Sequence, residues 1–406
     1  MGERLSVAVV SGTVGKTPED ITYSFVFDEI YRLAQSGVEV HVVRSRIESE
    51  SISYGIHFHG IERKYDTEAL NFLARNITCY PPISLVRKPT VLYGENLYAL
   101  NVAKVVERNA INLIHAHFAY PEGWIGLLCQ AKLKTRVPII LTSHGYDLNI
   151  VKEHKYGIRL DSRYNLIIKK VCKTADHIIV PSKLLFLRAV EAGADPSKVS
   201  LIPNAVDLEV FNPRKVDDYS FREKYKLGDT RIILIIRALR KYYGIDRIIR
   251  IVRKIPDNLN VKFVIIGGGA PYTDLLRMTS NMLRRKIIFL GTIPHSEVPY
   301  AVAAADVVID PCPIGQGINI LEAMAMEKPV IGIQTRLWDY IINGYTGFLV
   351  TDDDEIVEKM FYLIKNPSEA KRMGTNGRRL IKEKFDVNRR IEKIISLYGD
   401  FVNRCT

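Results

Sequence analysis

Cysteine is scarce in this chain and never clustered. Cys79, Cys129, Cys172, Cys312 and Cys405 are odd in number, widely spaced and free of any C-x-x-C pair, which argues against a disulfide framework or a cysteine zinc site and for a reducing compartment. Long apolar runs are also missing. No stretch approaches the roughly 18 residues of a membrane span, and Leu5 to Val10 is too short for the core of a secretory signal, ending at Ser11-Gly12. That run reads as a first strand, so the expected location is the cytoplasm, with at most peripheral contact at the inner face of the cell membrane. Low-complexity tracts, short-period repeats, RNP motifs and C2H2 spacing are absent, which argues against nucleic acid as a partner.

What is present is an ordinary globular composition on a long chain. With 406 residues, 47% hydrophobic and 25% charged, two domains of about 200 residues each are expected. The net charge of +12 calls for an anionic partner, and phosphate ligands together with a lipid surface suit it best. Arg87, Lys88, Lys169 and Lys170 are candidates for a basic first-domain surface that would suit an anionic membrane, although scattered solvated charge explains them equally well.

Short β-branched runs alternate with helical periodicity throughout. Leu5 to Val10, Val38 to Val43, Leu113 to Phe118, Val137 to Ser143, His177 to Pro181 and Val199 to Pro203 read as buried parallel strands. After a polar stretch at Asn212 to Thr230 the pattern resumes with Arg231 to Ile236, Val261 to Ile266, Lys286 to Leu290, Asp306 to Asp310 and Pro329 to Ile333. Ile245, Ile248, Ile249, Val252 and Ile255 keep a 3.6-residue period between strands. The expected fold class is α/β, with two Rossmann-like, doubly wound parallel-sheet domains facing an interdomain cleft and a boundary near Pro203 to Pro213. Ser45 to Leu97 reads as an elaboration of the first domain, and Val387 to Val402 as a last helix whose face Ile391, Ile394, Ile395 and Tyr398 needs a partner.

The most informative segment is Asp306 to Gly332, a strand, a glycine-bearing turn and a helix in one run. Gly315 and Gly317 let backbone approach a ligand, and the helix behind them offers unpaired N–H groups and a positive dipole end, where a diphosphate fits. Glu322, about one turn in, could accept from two ribose hydroxyls. Arg237 and Lys241, with Arg240 between them, would neutralise a leaving diphosphate or form a solvated turn. Gly268 lies in a Gly267 to Gly269 run that lacks dinucleotide spacing and leaves only a weak phosphate or base site. Ser11 to Thr17 fails the P-loop test because Val10 stands where a glycine is required, yet Gly12 could still approach a substrate. His115 and His117 share one strand face with no evident third metal ligand, so structural or substrate-contacting roles are expected and no metal. His144 closes the next strand, where it could donate to a sugar hydroxyl or simply be a satisfied core residue; Asp147 would cap the following turn or orient substrate.

In order along nearly the whole chain, HAHFAYPEG from His115, SHGYD from Ser143, VPS from Val180, IPNAVD from Ile202, VIIGGG from Val264, FLGTIPH from Phe289 and LEAMA from Leu321 resemble the signatures of GT-B glycosyltransferases of retaining family 4 (glycosyltransferase group 1). The likeness is greatest to enzymes of exopolysaccharide or surface glycans. The resemblance implies an acceptor-binding domain at 1–207, a nucleotide-sugar-binding domain at 208–384 and a helix at 385–406 crossing back to the first. It implies a UDP- or GDP-sugar donor, a glycan or lipid-linked acceptor, and transfer with retention without a metal or other cofactor. Glu322 would hold the ribose, the Ile293 backbone the base, the Gly317 and Ile318 backbone with the basic loop the diphosphate, and His144 the donor sugar; Asn319 would lie on the donor side, and Gly12, His117 and Asp147 on the acceptor side. Two departures stand out. Ile314 occupies the first position of the family's E-x7-E motif, and in its G-R-L-x-x-x-K-G loop Arg237, Ala238 and Tyr243 replace Gly, Arg and Lys. A nucleotide-sugar 2-epimerase of the same architecture and a non-catalytic nucleotide-sugar-binding subunit are the alternatives.

Overall fold

The computed structural model describes residues 5–12, 14–17, 20, 24–46, 48–61, 67–269, 285–314, 317–334 and 340–405. The chain divides into two units, one of Met1–Pro203 with Ile391–Thr406 and the other of Asn204–Arg390. Each is an α/β layer structure built on a single sheet.

In unit 1 the strands are β1 (Ser6–Val10), β2 (Glu39–Val43), β3 (Ser51–Ser53), β4 (Ile56–His59), β5 (Leu113–His117), β6 (Ile139–Thr142), β7 (His177–Val180) and β8 (Val199–Leu201). Their order is β3-β4-β2-β1-β5-β6-β7-β8. All neighbours run parallel except β3, which pairs antiparallel with β4, a departure from the all-parallel expectation. Its cause is local. Tyr54 and Gly55 both have positive φ (55° and 76°), the two-residue turn geometry that closes an antiparallel hairpin and cannot make a crossover. This hairpin and the Pro89–Arg108 helix are the elaboration expected between Ser45 and Leu97.

Unit 2 carries β9 (Arg231–Ile236), β10 (Val261–Ile266), β11 (Ile287–Gly291), β12 (Val307–Asp310), β13 (Val330–Ile333) and β14 (Gly347–Val350) in the order β11-β10-β9-β12-β13-β14. Sequence periodicity did not reveal β14, which is short and begins at glycine. Alternate residues of each strand enter opposite cores. Ile232, Leu234, Val264 and Val308 pack with Met324 and Ile381, while Ile233, Ile235, Phe263 and Ile309 pack with Ile245, Ile248, Ile249 and Val252. A sheet covered on both faces has no room for polar alternation, which is why its strands read as continuous β-branched runs.

The Val387–Cys405 helix supplies the last packing face of unit 1. Ile391, Ile394, Tyr398 and Val402 are buried, whereas Ile395 is only partly covered, so Val402 replaces it in the expected stripe. The Tyr398 hydroxyl meets His115 Nδ1 at 2.5 Å. Arg87 also departs from expectation. It is buried, paired with Glu95 at 2.6 Å and bonded to the Tyr120 hydroxyl at 2.9 Å, so it belongs to an internal network and not to a basic surface. Lys88, Lys169 and Lys170 are exposed.

Two helical glycines should respond in opposite directions. A Cβ on Gly374 would lie 1.9 Å from the Glu327 carbonyl oxygen, whereas one on Gly399 would meet nothing within 4 Å. Gly374→Ala is expected to destabilise by about 2 kcal/mol through overpacking, and Gly399→Ala to stabilise by about 0.5–1 kcal/mol through helix propensity. Denaturant midpoints measure both.

Candidate functional site

In unit 2 the chain reverses its winding between β9 and β12, the place in an open α/β sheet where ligands bind outside the carboxyl ends of the strands. Arg237 follows β9, and Asp310, Cys312, Ile314 and Gly317 follow β12. Gly315 lies outside the described residues. Arg237 Nη2 donates to Cys312 Sγ at 3.0 Å, Nη1 lies 3.7 Å from Asp310 Oδ2, and the guanidinium sits 4.4 Å over the Tyr243 ring. Burial alone would disfavour the cation, but Asp310, Cys312 and Tyr243 outweigh it and drive its pKa upward. For Asp310 itself, burial pushes the carboxyl up against the opposing pull of Arg237.

A cation is therefore held at the wrong end of a helix. Gly317 precedes the Ile318–Ala325 helix with no side-chain cap, and a Cβ on it would come within 2.5 Å of Arg237 Nη1 and 1.7 Å of Asn319 Oδ1. A side chain at Gly317 would have to displace the Arg237 guanidinium and the Asn319 amide, and the guanidinium adds its charge to the positive end of the helix dipole. Arg237 Nε and Asn319 Nδ2 are both buried donors with no hydrogen-bond partner. Buried donors lacking acceptors are costly, and an anion at this helix start would satisfy both while neutralising the charge.

Glu322, on the same helix, is buried with Oε1 3.1 Å from His295 Nε2. Ile293 is buried two residues before His295. Lys241 is exposed in the Lys241–Tyr243 turn and does not join the Arg237 cluster among the contacts described. Gly267 and Gly269 have a packing reason of their own. Side chains there would strike the carbonyl oxygens of Arg237 and Leu239, at 2.0 and 2.4 Å, and Leu239 N donates to Gly268 O at 2.9 Å, so the glycine run seats the Arg237 loop. Ile314 is buried, an apolar side chain where a donor-facing carboxylate was to be looked for.

In unit 1 the corresponding reversal falls between β1 and β5. Gly12 leaves β1, and its N–H donates to Glu122 Oε1 at 3.3 Å. Burial pushes the Glu122 carboxyl up to about 8. His117, fully buried, ends β5, with Nδ1 3.0 Å from His144 Nε2 and Nε2 3.7 Å from Glu29 Oε1. Phe25 and Phe118 flank the partly exposed His144 ring, with centroids at 4.8 and 4.7 Å. Asp147 accepts from Ala119 N at 2.7 Å, Ser143 Oγ at 2.8 Å and Gly145 N at 3.1 Å. It ties the β5 loop to the β6 loop and so fixes the rim on which His144 stands.

The third donor that the His115-His117 pair lacked in the sequence is Glu29, from the Ser24–Gln35 helix. His115 nonetheless has little to give a metal, because Nε2 meets Thr142 Oγ1 at 2.7 Å and Nδ1 meets Tyr398. Sequence reasoning also missed Glu122, Asp310, Tyr243 and His295 as site members. Asp310 offered a signal, being the one charged residue closing an otherwise apolar strand.

Comparisons with known proteins bear on the family and the fold. Residues 24–210 match the family model described as "Glycosyltransferase Family 4" and residues 217–380 the one described as "Glycosyl transferases group 1". Among similar proteins is an N-acetyl-alpha-D-glucosaminyl L-malate synthase of Bacillus anthracis, 24% identical, covering 90% of this chain and 89% of its own. Another is a GDP-mannose-dependent alpha-(1-6)-phosphatidylinositol monomannoside mannosyltransferase of Mycolicibacterium smegmatis, 28% identical, covering 72% and 78%. Among solved structures, sucrose-phosphate synthase of Thermosynechococcus elongatus aligns with a TM-score of 0.79 at 19% identity, covering 99% of this chain and 100% of the other. Anabaena HepE in complex with UDP aligns at 0.73 and 15%, covering 98% and 100%. The chain is a GT-B fold glycosyltransferase related to family 4 and group 1 members. It transfers a sugar from a nucleotide-sugar donor to an acceptor.

The raised Glu122 pKa carries a pH signature. The folded state binds this proton more tightly than the unfolded state, whose carboxyl titrates near the ordinary 4.5. The stabilisation is complete below that value and is lost as pH rises through about 8. Glu122→Gln should flatten this loss and raise stability at pH 8 by on the order of 3 kcal/mol, read from urea midpoints at pH 5 and 8.

Proposed function

We propose that the protein is a retaining hexosyltransferase taking a UDP- or GDP-sugar and acting on a glycan or lipid-linked acceptor. The observation that carries the reading is the start of the Ile318–Ala325 helix, where Arg237 and the unpartnered Asn319 amide converge beside Gly317. That group of donors matches a diphosphate. Glu322 accepts from the ribose hydroxyls while His295 holds its other oxygen, and the Ile293 backbone meets the base. Arg237 supplies the charge that the family's loop places one residue later, on what is Ala238 here, with Lys241 as the second, mobile cation.

In the reaction the bond from the anomeric carbon to the diphosphate oxygen breaks, and the acceptor oxygen bonds to the same face of that carbon. The acceptor's proton passes to the departing phosphate oxygen, so no protein nucleophile and no metal are needed. Arg237 and the helix start stabilise the charge that builds on the leaving group. His144, oriented by His117, donates to the transferred sugar, and the Gly12 loop approaches the acceptor. Domain roles follow: acceptor in residues 1–207, donor in 208–384. The names of the relatives support both donor classes, since one is GDP-mannose-dependent and another is a UDP-Gal:alpha-D-GlcNAc-diphosphoundecaprenol galactosyltransferase. Peripheral contact with a lipid surface fits exposed Ile83, Leu85 and Val86 next to Lys88.

A thermal-shift panel of UDP-, GDP- and ADP-sugars tests the donor site. One nucleotide class should stabilise the protein, by about 2.7 kcal/mol at a hundredfold excess over Kd, and Glu322→Ala should abolish the shift. An unchanged shift in the variant would remove the ribose assignment. His144→Ala should lose transfer by about 100-fold while keeping the nucleotide shift, and equal activity would make His144 structural. Product from the nucleotide sugar alone would favour the 2-epimerase. Tight donor binding without transfer to any membrane or glycan extract would favour a binding subunit, the outcome that Ile314 makes worth checking.

A further inference from the structure

A second polar cluster lies in unit 1 on the paired strands β2 and β4, and none of its residues belongs to the site above. His41 stands directly opposite His57 in the parallel register, so Glu39, His41, His57 and His59 all point to one face of the sheet. Glu50 is paired with Arg108, and bonds from Arg108 and His59 hold its carboxyl below the usual range. His59 Nδ1 lies 3.1 Å from Glu50 Oε1 and 3.3 Å from Arg108 Nη2, and His59 Nε2 lies 3.0 Å from His41 Nδ1.

The far nitrogen of His41, Nε2, is buried with no hydrogen-bond partner and faces Glu39 Oε1 at 3.7 Å. His57 stacks on His41 with centroids 4.5 Å apart. One ligand atom from each of Glu39, His41 and His57 lies within 4.8 Å of the others.

We propose that Glu39, His41 and His57 bind a first-row divalent cation of the zinc class, with Glu50 and His59 orienting the His41 imidazole behind it. Two imidazoles and a carboxylate are a suitable donor set for such an ion, and the carboxylate-histidine-histidine chain is the outer support that fixes which nitrogen is metallated. Zinc ligands lie about 2.0–2.2 Å from the ion, so the donors must close slightly, and the partly exposed His57 can tilt from its stack to do so. The bound ion would fasten the β3-β4 hairpin to β2, a structural role independent of sugar transfer.

The test uses untagged, chelator-treated full-length protein titrated with Zn2+ against a chromogenic chelator. One equivalent should bind and raise the thermal midpoint. His57→Gln and Glu39→Gln, both at partly exposed positions, should each weaken binding at least about tenfold without lowering the metal-free midpoint. Glu29→Gln, in the other histidine cluster, should leave affinity unchanged. X-ray absorption should show nitrogen and oxygen neighbours only. Failure of the wild type to bind, unchanged affinity in both strand variants, loss of binding in Glu29→Gln alone, or sulfur coordination would each overturn the proposal.

Discussion

Parallel strands can be joined only by crossovers, so a sheet of this kind carries every strand's carboxyl end on one edge, and the crossovers part where the winding reverses. Both sheets here obey that constraint in every strand but the antiparallel β3, and the chemistry follows it. Arg237, Asp310 and Gly317 leave β9 and β12; Gly12, Glu122 and His117 leave or follow β1 and β5. Residues far apart in sequence become neighbours because the crossovers diverge at a single place in each sheet. The local details, including the glycines that let one loop lie against the next, serve that geometry.

The sequence disclosed what is encoded within a few residues. The strand-helix alternation was legible because strands covered on both sides are uniformly apolar, and Gly317 with Glu322 was legible because loop and helix are contiguous. β3 could not be read as antiparallel from its own three residues, since the turn decides its direction. Long-range pairings were hidden as well. Nothing local says that Arg237 meets Asp310 or that His295 meets Glu322, 27 residues away. Arg87 shows the limit most clearly, because the letter reports a charge and not the Glu95 carboxylate that takes it out of solvent. His115 and His117 were correctly seen as a pair, but only the fold brings Glu29 beside one and Tyr398 against the other.

The departures from the family loop cohere physically. A guanidinium leaving β9 at position 237 needs a surface to lie on, and Tyr243, where the resemblance would place a lysine, offers its ring face. A second cation there would repel the first. Arg237 and Tyr243 thus read as one coupled replacement, while Ile314 stands apart as a buried apolar residue.

Unit 2 is an insertion in the sequence of unit 1, since residues 1–203 and 391–406 make one body and 204–390 the other. The Tyr398 bond to His115 spans 283 residues. During synthesis all of unit 2 is therefore available to fold before unit 1 receives the helix that covers His115 and Phe401's partner, His177. The first half of the protein to be made is the last to be completed, and until then it exposes the floor on which that final helix lies, the period in which a nascent chain most needs protection from aggregation.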